Sequence, residues 1–300
     1  EVPLSIANTI RPDLSLGGTL NGEAAIGGTR TAPEASFTLT GRDIVAAALS
    51  QAGIASLAID ASGATTGDTL AVAAQIASPG GLRASVDGSV PLGNGPLDLD
   101  VDVQSFPLSL LNARMPGQDL GGVLTGSAEV TGSLADPQAA FTAEASGFTV
   151  RPLAAIGAAP LGITASGRFA GQTIILDALN ATGPGGLSVA ASGDVPLGAT
   201  GLAVDARGTL PLSLANRLLL ERGTQLTGTL TADINARGSL AAPVISGTLS
   251  TTGATVIDPM TNLRLTAINI DASLSGDTVA IRSATAALGE GGSVSLSGSV

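Results

Sequence analysis

The chain has 300 residues and a net charge of −11, and its 13 basic side chains are all Arg spread singly, which excludes the phosphate-neutralising patch of a nucleic-acid partner. It has no His, Cys or Lys, so histidine-based triads, thiol nucleophiles, His/Cys zinc sites, P-loops and Schiff-base lysines are excluded from it. Hydrophobic residues make up 44% but aromatics only 2%, so the apolar surface is Leu, Val, Ile and Ala and lacks the aromatic lining usual in a sugar-cleaving cleft.

From Val2 the chain reads VPLSIAN and passes into GGTLNGEAAIGGTRTAPEASF (Gly17 to Phe37), whose Pro33 marks a turn between strands. Arg42 to Gln51 has helical character, but the equivalent later stretches carry Pro152 and Pro259, so a variable connection is expected there. SPGG (Ser78 to Gly81) and GNGP (from Gly93) read as hairpin turns around GGLRASVDGSVPLG, which starts at Gly80. In LDLDVDV, Leu97, Leu99, Val101 and Val103 fall on one side of a strand and Asp98, Asp100 and Asp102 on the other. Three carboxylates in a row suit a hard cation, but the corresponding run GLAVDARG keeps only Asp205, so a solvated strand face is the expectation. FPLSLLN follows, and Pro107 to Arg114 predicts a short helical excursion packed through Leu108 and Leu111.

The same order then returns. GGVLTGSAEVTGSLADPQAAF (Gly121 to Phe141) and TGTLTADINARGSLAAPVISG (Thr227 to Gly247) overlay the first block, with Pro137 and Pro243 over Pro33. GGLSVAASGDVPLG (from Gly185) and GGSVSLSGSV (from Gly291) overlay the Gly80 block, with GPGG, GEGG at Glu290 and SGD at Ser275 as further turns. LPLSLAN overlays VPLSIAN and FPLSLLN and predicts a second excursion over Pro211 to Glu221, with Leu212 and Leu219 packing. One unit of roughly 105 residues is thus written about three times. The expected units are residues 1–104, 105–208 and 209–300, the third truncated, within a fragment of a larger protein. About six short strands per copy, about seventeen in all, give an all-β fold.

Aligned copies keep their parity: Leu82, Ala84, Val86 and Val90 correspond to Leu187, Val189, Ala191 and Val195, then to Val294, Leu296 and Val300. In AINIDASL, Ile268, Ile270, Ala272 and Leu274 alternate with Asn269, Asp271 and Ser273. Glu23, Glu129 and Asp233 read as outward charges that discourage edge pairing. Pro152 to Gly167, the longest uncharged stretch near the middle, is too short and too rich in Pro and Gly to span a bilayer as a helix. The resulting oily face fits two arrangements: the filled core of a sandwich or solenoid, and an open groove for acyl chains.

The succession PLSLLN, L-x-G-x-x-x-V-x-G-S-L-x-x-P, NLRLTAINIDASLSGD and GGxVxxSGSV resembles the long AsmA-like repeat region of the TamB family of bacterial envelope proteins, over essentially the whole chain. The resemblance implies an elongated, curled β-sheet groove, often called a β-taco, in the periplasm of a Gram-negative bacterium, attached to the inner membrane through an anchor outside this chain. It implies phospholipid transfer between inner and outer membranes, or assembly of outer-membrane proteins and autotransporters, with a TamA-type outer-membrane protein bound through regions outside this chain. No enzyme activity, cofactor or metal is expected. The expected groove lining is Leu82, Ala84, Val86, Leu97, Leu99, Val101, Leu187, Val189, Ala191, Leu202, Val204, Ile268, Ile270, Val294 and Leu296. Two rival readings are a structural stalk or autotransporter passenger with a closed core and no ligand, and a chaperone that uses the same groove for unfolded outer-membrane strands.

Overall fold

A computed structural model describes residues 2–9, 11–29, 32–51, 53–198, 200–289 and 291–299, with the side chains of all of these except Pro12, Ala32, Pro33, Glu221 and Arg222. The protein is all-β, with 66% of its residues in strands. Glu290 and Val300, used in the sequence alignment above, lie outside the described residues.

Two compact units form, Glu1–Phe148 with Arg168–Gly171, and Thr149–Gly167 with Gln172–Val300. The first carries β1 (Val2–Pro3), β2 (Gly17–Thr29), β3 (Ala32–Val45), β4 (Leu57–Thr66), β5 (Thr69–Ala77), β6 (Arg83–Pro91), β7 (Asp98–Pro107), β8 (Gly121–Gly132) and β9 (Pro137–Thr149). From β1 to β8 each strand pairs antiparallel with the next. The facing hydroxyls of Ser127 and Thr142, 3.1 Å apart, tie β8 to β9.

The second unit carries β10 (Leu161–Ala170), β11 (Thr173–Thr182), β12 (Ser188–Pro196), β13 (Leu202–Pro211), β14 (Gln225–Thr227), β15 (Thr229–Gly238), β16 (Pro243–Asp258), β17 (Leu263–Ser275), β18 (Thr278–Leu288) and β19 (Ser293–Ser299). Pairing again runs antiparallel between neighbours from β11 onward. β14 and β15 flank Gly228 and both pair with β16, so they are one strand bent at a glycine. With the short β1 and β14 set aside, the strands match the seventeen expected from alternation and turns. The antiparallel sheet is not closed: among the described residues no ladder joins the first strand to the last within either unit.

Proline marks the strand ends, where its missing N–H costs no ladder bond. Pro137 and Pro243 open β9 and β16, and Pro91, Pro107, Pro196 and Pro211 close β6, β7, β12 and β13. The variable connection takes three forms: α1 (Ala47–Gln51), α2 (Arg151–Ala155), and a plain turn around Pro259. Pro152 does not prevent α2, because it sits in the first helical turn, where an N–H would have no intrahelical partner.

The PLS-x-x-N excursions are 3-10 segments, Leu4–Thr9, Leu108–Ala113 and Leu212–Arg222. Each is held by its asparagine, whose amide pairs with one leucine's backbone as a strand would. Asn8 bonds Leu16 at 2.8 and 2.8 Å, Asn112 bonds Leu120 at 2.9 and 2.7 Å, and Asn216 bonds Leu226 at 3.1 and 2.6 Å. Each excursion therefore returns the chain to the start of the next strand with both backbone groups satisfied. Arginines one or two residues after two of these asparagines add a tie, Arg114 Nε donating to Gln51 O at 3.1 Å and Arg217 Nη1 to Ala154 O at 3.3 Å.

Asn112→Ala and Asn216→Ala each strand a half-buried N–H and C=O, and each is expected to cost about 1–3 kcal/mol. Denaturant unfolding of the two variants measures this. Asn→Asp should recover only the acceptor half of the pairing.

Candidate functional site: an aliphatic sheet face

Register carries one residue of each strand directly opposite one of the next, so the oily parity becomes continuous rows. In the first unit one row runs Gly22, Leu39, Ala61, Ala74, Val86, Val101, Ala128. A parallel row runs Ala24, Phe37, Gly63, Val72, Gly88, Leu99, Val130, and a third runs Leu20, Gly41, Ile59, Ile76, Ala84, Val103, Gly126. In the second unit the rows are Ala181, Val189, Gly208, Ala232, Leu249, Ala272, Ile281 and Leu179, Ala191, Ala206, Ile234, Gly247, Leu274, Val279. The neighbouring positions Asp60, Ser62, Gln75, Asp87, Asp100 and Asp102, and in the second unit Ser188, Ser192 and Asp205, are exposed.

These rows are not a packed core. Every Leu, Ile, Val and Phe in them is half-buried or exposed, and no large side chain among the described residues is fully buried. Burial concentrates largely near strand ends: Leu97 and Leu202 where β7 and β13 begin, Leu108 in the 3-10 excursion, and Ala158, Leu161 and Leu187 beneath the connections of the second unit.

The fifteen expected lining residues therefore fall into three settings. Ala84, Val86, Leu99, Val101, Val189, Ala191, Val204, Ile268 and Ile270 sit half-buried on the row parity. Leu97, Leu187 and Leu202 are buried and present little surface, while Leu82 is half-buried and its carbonyl accepts from Ser78 N to close a turn. Val294 and Leu296 of β19 are exposed, at 46% and 59%. Leu39, Ile59, Val72, Ile76 and Val103 share the face with Val86. Val103 belongs to the LDLDVDV run read above, and the other four follow the same alternation in segments that the block alignment did not reach.

Irregularities reset the parity where strict alternation would fail. Register shifts lie between Leu176 and Leu179 on β11, between Thr251 and Ala254 on β16, and between Ile281 and Ala284 on β18. A further device is a glycine within the strand. Gly88 and Gly193 take φ +140 and +134, and an added Cβ would lie 2.1 Å from Asp98 O and 2.0 Å from Ala203 O on the next strand. Only glycine admits so close a carbonyl with that backbone.

The opposite face is charged. Asp87, Asp100 and Glu129 stand directly across β6, β7 and β8, exposed to water, and among the described residues no three acidic side chains converge on a metal position. In the second unit the equivalent surface is neutralised by pairs, Arg237 with Asp205 at 2.7 Å and Arg207 with Asp233 at 2.8 Å. The hydrogen bond from Arg237, joined by one from Asn235, holds the Asp205 carboxyl below the usual carboxylate range.

Comparison of the chain with protein-family models, curated proteins and solved structures returns no match. No helix among the described residues is long and apolar enough to cross a membrane.

A carboxyl lowered in the folded state contributes stability above its unfolded pKa and loses it as pH falls through the folded value. Arg237→Ala is expected to move the Asp205 titration upward, toward the ordinary carboxylate range, as read by carboxyl carbon NMR. Because the pair is exposed, the effect on overall stability should be small.

Proposed function

We propose that the aliphatic face is a trough that holds lipid acyl chains, in a periplasm-spanning segment of a TamB-like protein. The observation that carries this reading is the half-exposure of Val86, Val101, Val189 and their row neighbours at mid-strand. Each CH₂ of an acyl chain buried there gains about 0.8 kcal/mol. Apolar contact is non-directional, and the same parity repeats from strand to strand, so a tail meets similar surroundings wherever it lies along a row. Headgroups would stay in water at the strand ends.

In this reading lipid passes between the inner and outer membranes along such faces, with a TamA-type partner engaged outside this chain. Outer-membrane protein assembly is the companion role suggested by the same resemblance. The acidic balance supports storage of tails over docking on anionic headgroups. A structural stalk is the rival, and it differs in one respect: its face binds nothing.

Mass spectrometry of lipids released from the purified chain separates the two. Phospholipid should co-purify, and Val189→Asp, which puts a carboxylate into the row, should lower the amount recovered. Lipid-free preparations, or recovery unchanged by Val189→Asp, would favour the stalk.

A further inference from the structure

Asparagine precedes glycine at two places in the chain, Asn21–Gly22 and Asn94–Gly95. A glycine carries no side chain to hinder its backbone nitrogen, which can attack the side-chain carbonyl of the asparagine before it and close a succinimide ring. Closure needs the asparagine to rotate out of the extended conformation, so backbone order decides where it happens.

The two sites differ in that respect. Asn21 and Gly22 lie within β2, opposite Thr40 and Leu39 of β3, in a ladder that continues on both sides of them, from Thr19 opposite Arg42 to Gly27 opposite Glu34. Rotating Asn21 would break this pairing. Asn94 and Gly95 instead form the tip between β6 and β7 and belong to neither strand, and Asn94 is exposed. Among the described residues neither the Asn94 amide nor the Gly95 N–H has a hydrogen-bond partner. An open cleft of about 480 Å³ beside the tip, lined by Gly93 to Pro96 and Gly132 to Ala135, gives water access to it. The equivalent tip of the next copy reads Gly198, Ala199, Thr200, Gly201 and carries no asparagine.

We infer that Asn94–Gly95 is a self-modification site, at which the folded chain converts asparagine to aspartate and isoaspartate. The Gly95 nitrogen bonds to Asn94 Cγ, the Cγ–Nδ2 bond breaks, and the proton lost from Gly95 N leaves with the side-chain nitrogen as ammonia. Water then opens the ring at either carbonyl, and nothing is oxidised or reduced. Either product places a carboxylate at the tip, and isoaspartate also lengthens the main chain by a CH₂ just before Pro96 and Leu97. Leu97 N donates to Gly132 O at 2.7 Å, the bond that ties this tip to the β8–β9 hairpin, so the modification loosens that tie. The inference is independent of the lipid reading, since the reaction involves only the tip.

The test is incubation of the whole 300-residue chain in mildly alkaline buffer, folded and in denaturant, followed by cleavage after arginine and fragmentation mass spectrometry. Both sites should convert at similar rates in denaturant, and in the folded chain Asn94 should convert at least about tenfold faster than Asn21. Asn94→Gln, which would need a larger ring, should abolish the mass gain in the peptide of residues 84–114. Hydrogen exchange at the Leu97 amide should be faster in the converted chain. An Asn94 that keeps its amide in the folded chain, equal rates at Asn21 and Asn94 when folded, or a mass gain that survives Asn94→Gln would overturn the site. Unchanged Leu97 exchange after conversion would overturn the coupling to the β8–β9 hairpin.

Discussion

The two-residue period of the β-strand, held in register across each ladder, is the constraint on which the rest depends. A slip of one residue between β6 and β7 would put Asp100 and Asp102 where Val101 and Val103 now stand and remove the oily face from the first unit. Because parity is kept, half of each strand is aliphatic and half is wet. The sheet is not closed, and the large aliphatic side chains of the rows stay short of full burial. The half-exposed rows are thus a consequence of topology as much as of composition.

Three local devices keep that parity. Asparagines in the 3-10 excursions return the chain to the correct strand start by pairing with Leu16, Leu120 and Leu226. Mid-strand glycines let neighbouring backbones approach more closely than any side chain would allow. Bulges on β11, β16 and β18 absorb residues that would otherwise throw later positions onto the wrong face. Each device acts locally, yet its effect is to keep distant strands in phase.

Alternation made much of this legible. LDLDVDV gave its two faces without ambiguity, and Gly-rich clusters marked the hairpins, because both signals depend only on adjacent residues. The recurrence of PLS-x-x-N located the excursions, but nothing in that string says that the asparagine pairs with a leucine eight or ten residues on. Its invariance over Asn8, Asn112 and Asn216 was the available signal. Likewise Leu97, Leu187 and Leu202 carry the right residue type and parity for lining, and are buried because they stand where strands begin, beside connections whose packing no periodicity encodes. Pro152 was an obstacle to a helix only if placed in its interior, and the helix start fell just before it.

Access of an apolar occupant to the mid-strand rows is directly measurable because the chain has no cysteine of its own. Cysteine placed singly at Val72, Val86, Val101, Val189, Ala206 and Leu249, then coupled to a nitroxide and probed for oxygen collision, reads access at each row position. Labelling in the native state with high oxygen access is expected at all six, and protection at Leu97 and Leu187. Protection at the six positions equal to that at Leu97 would show a filled core and contradict this expectation.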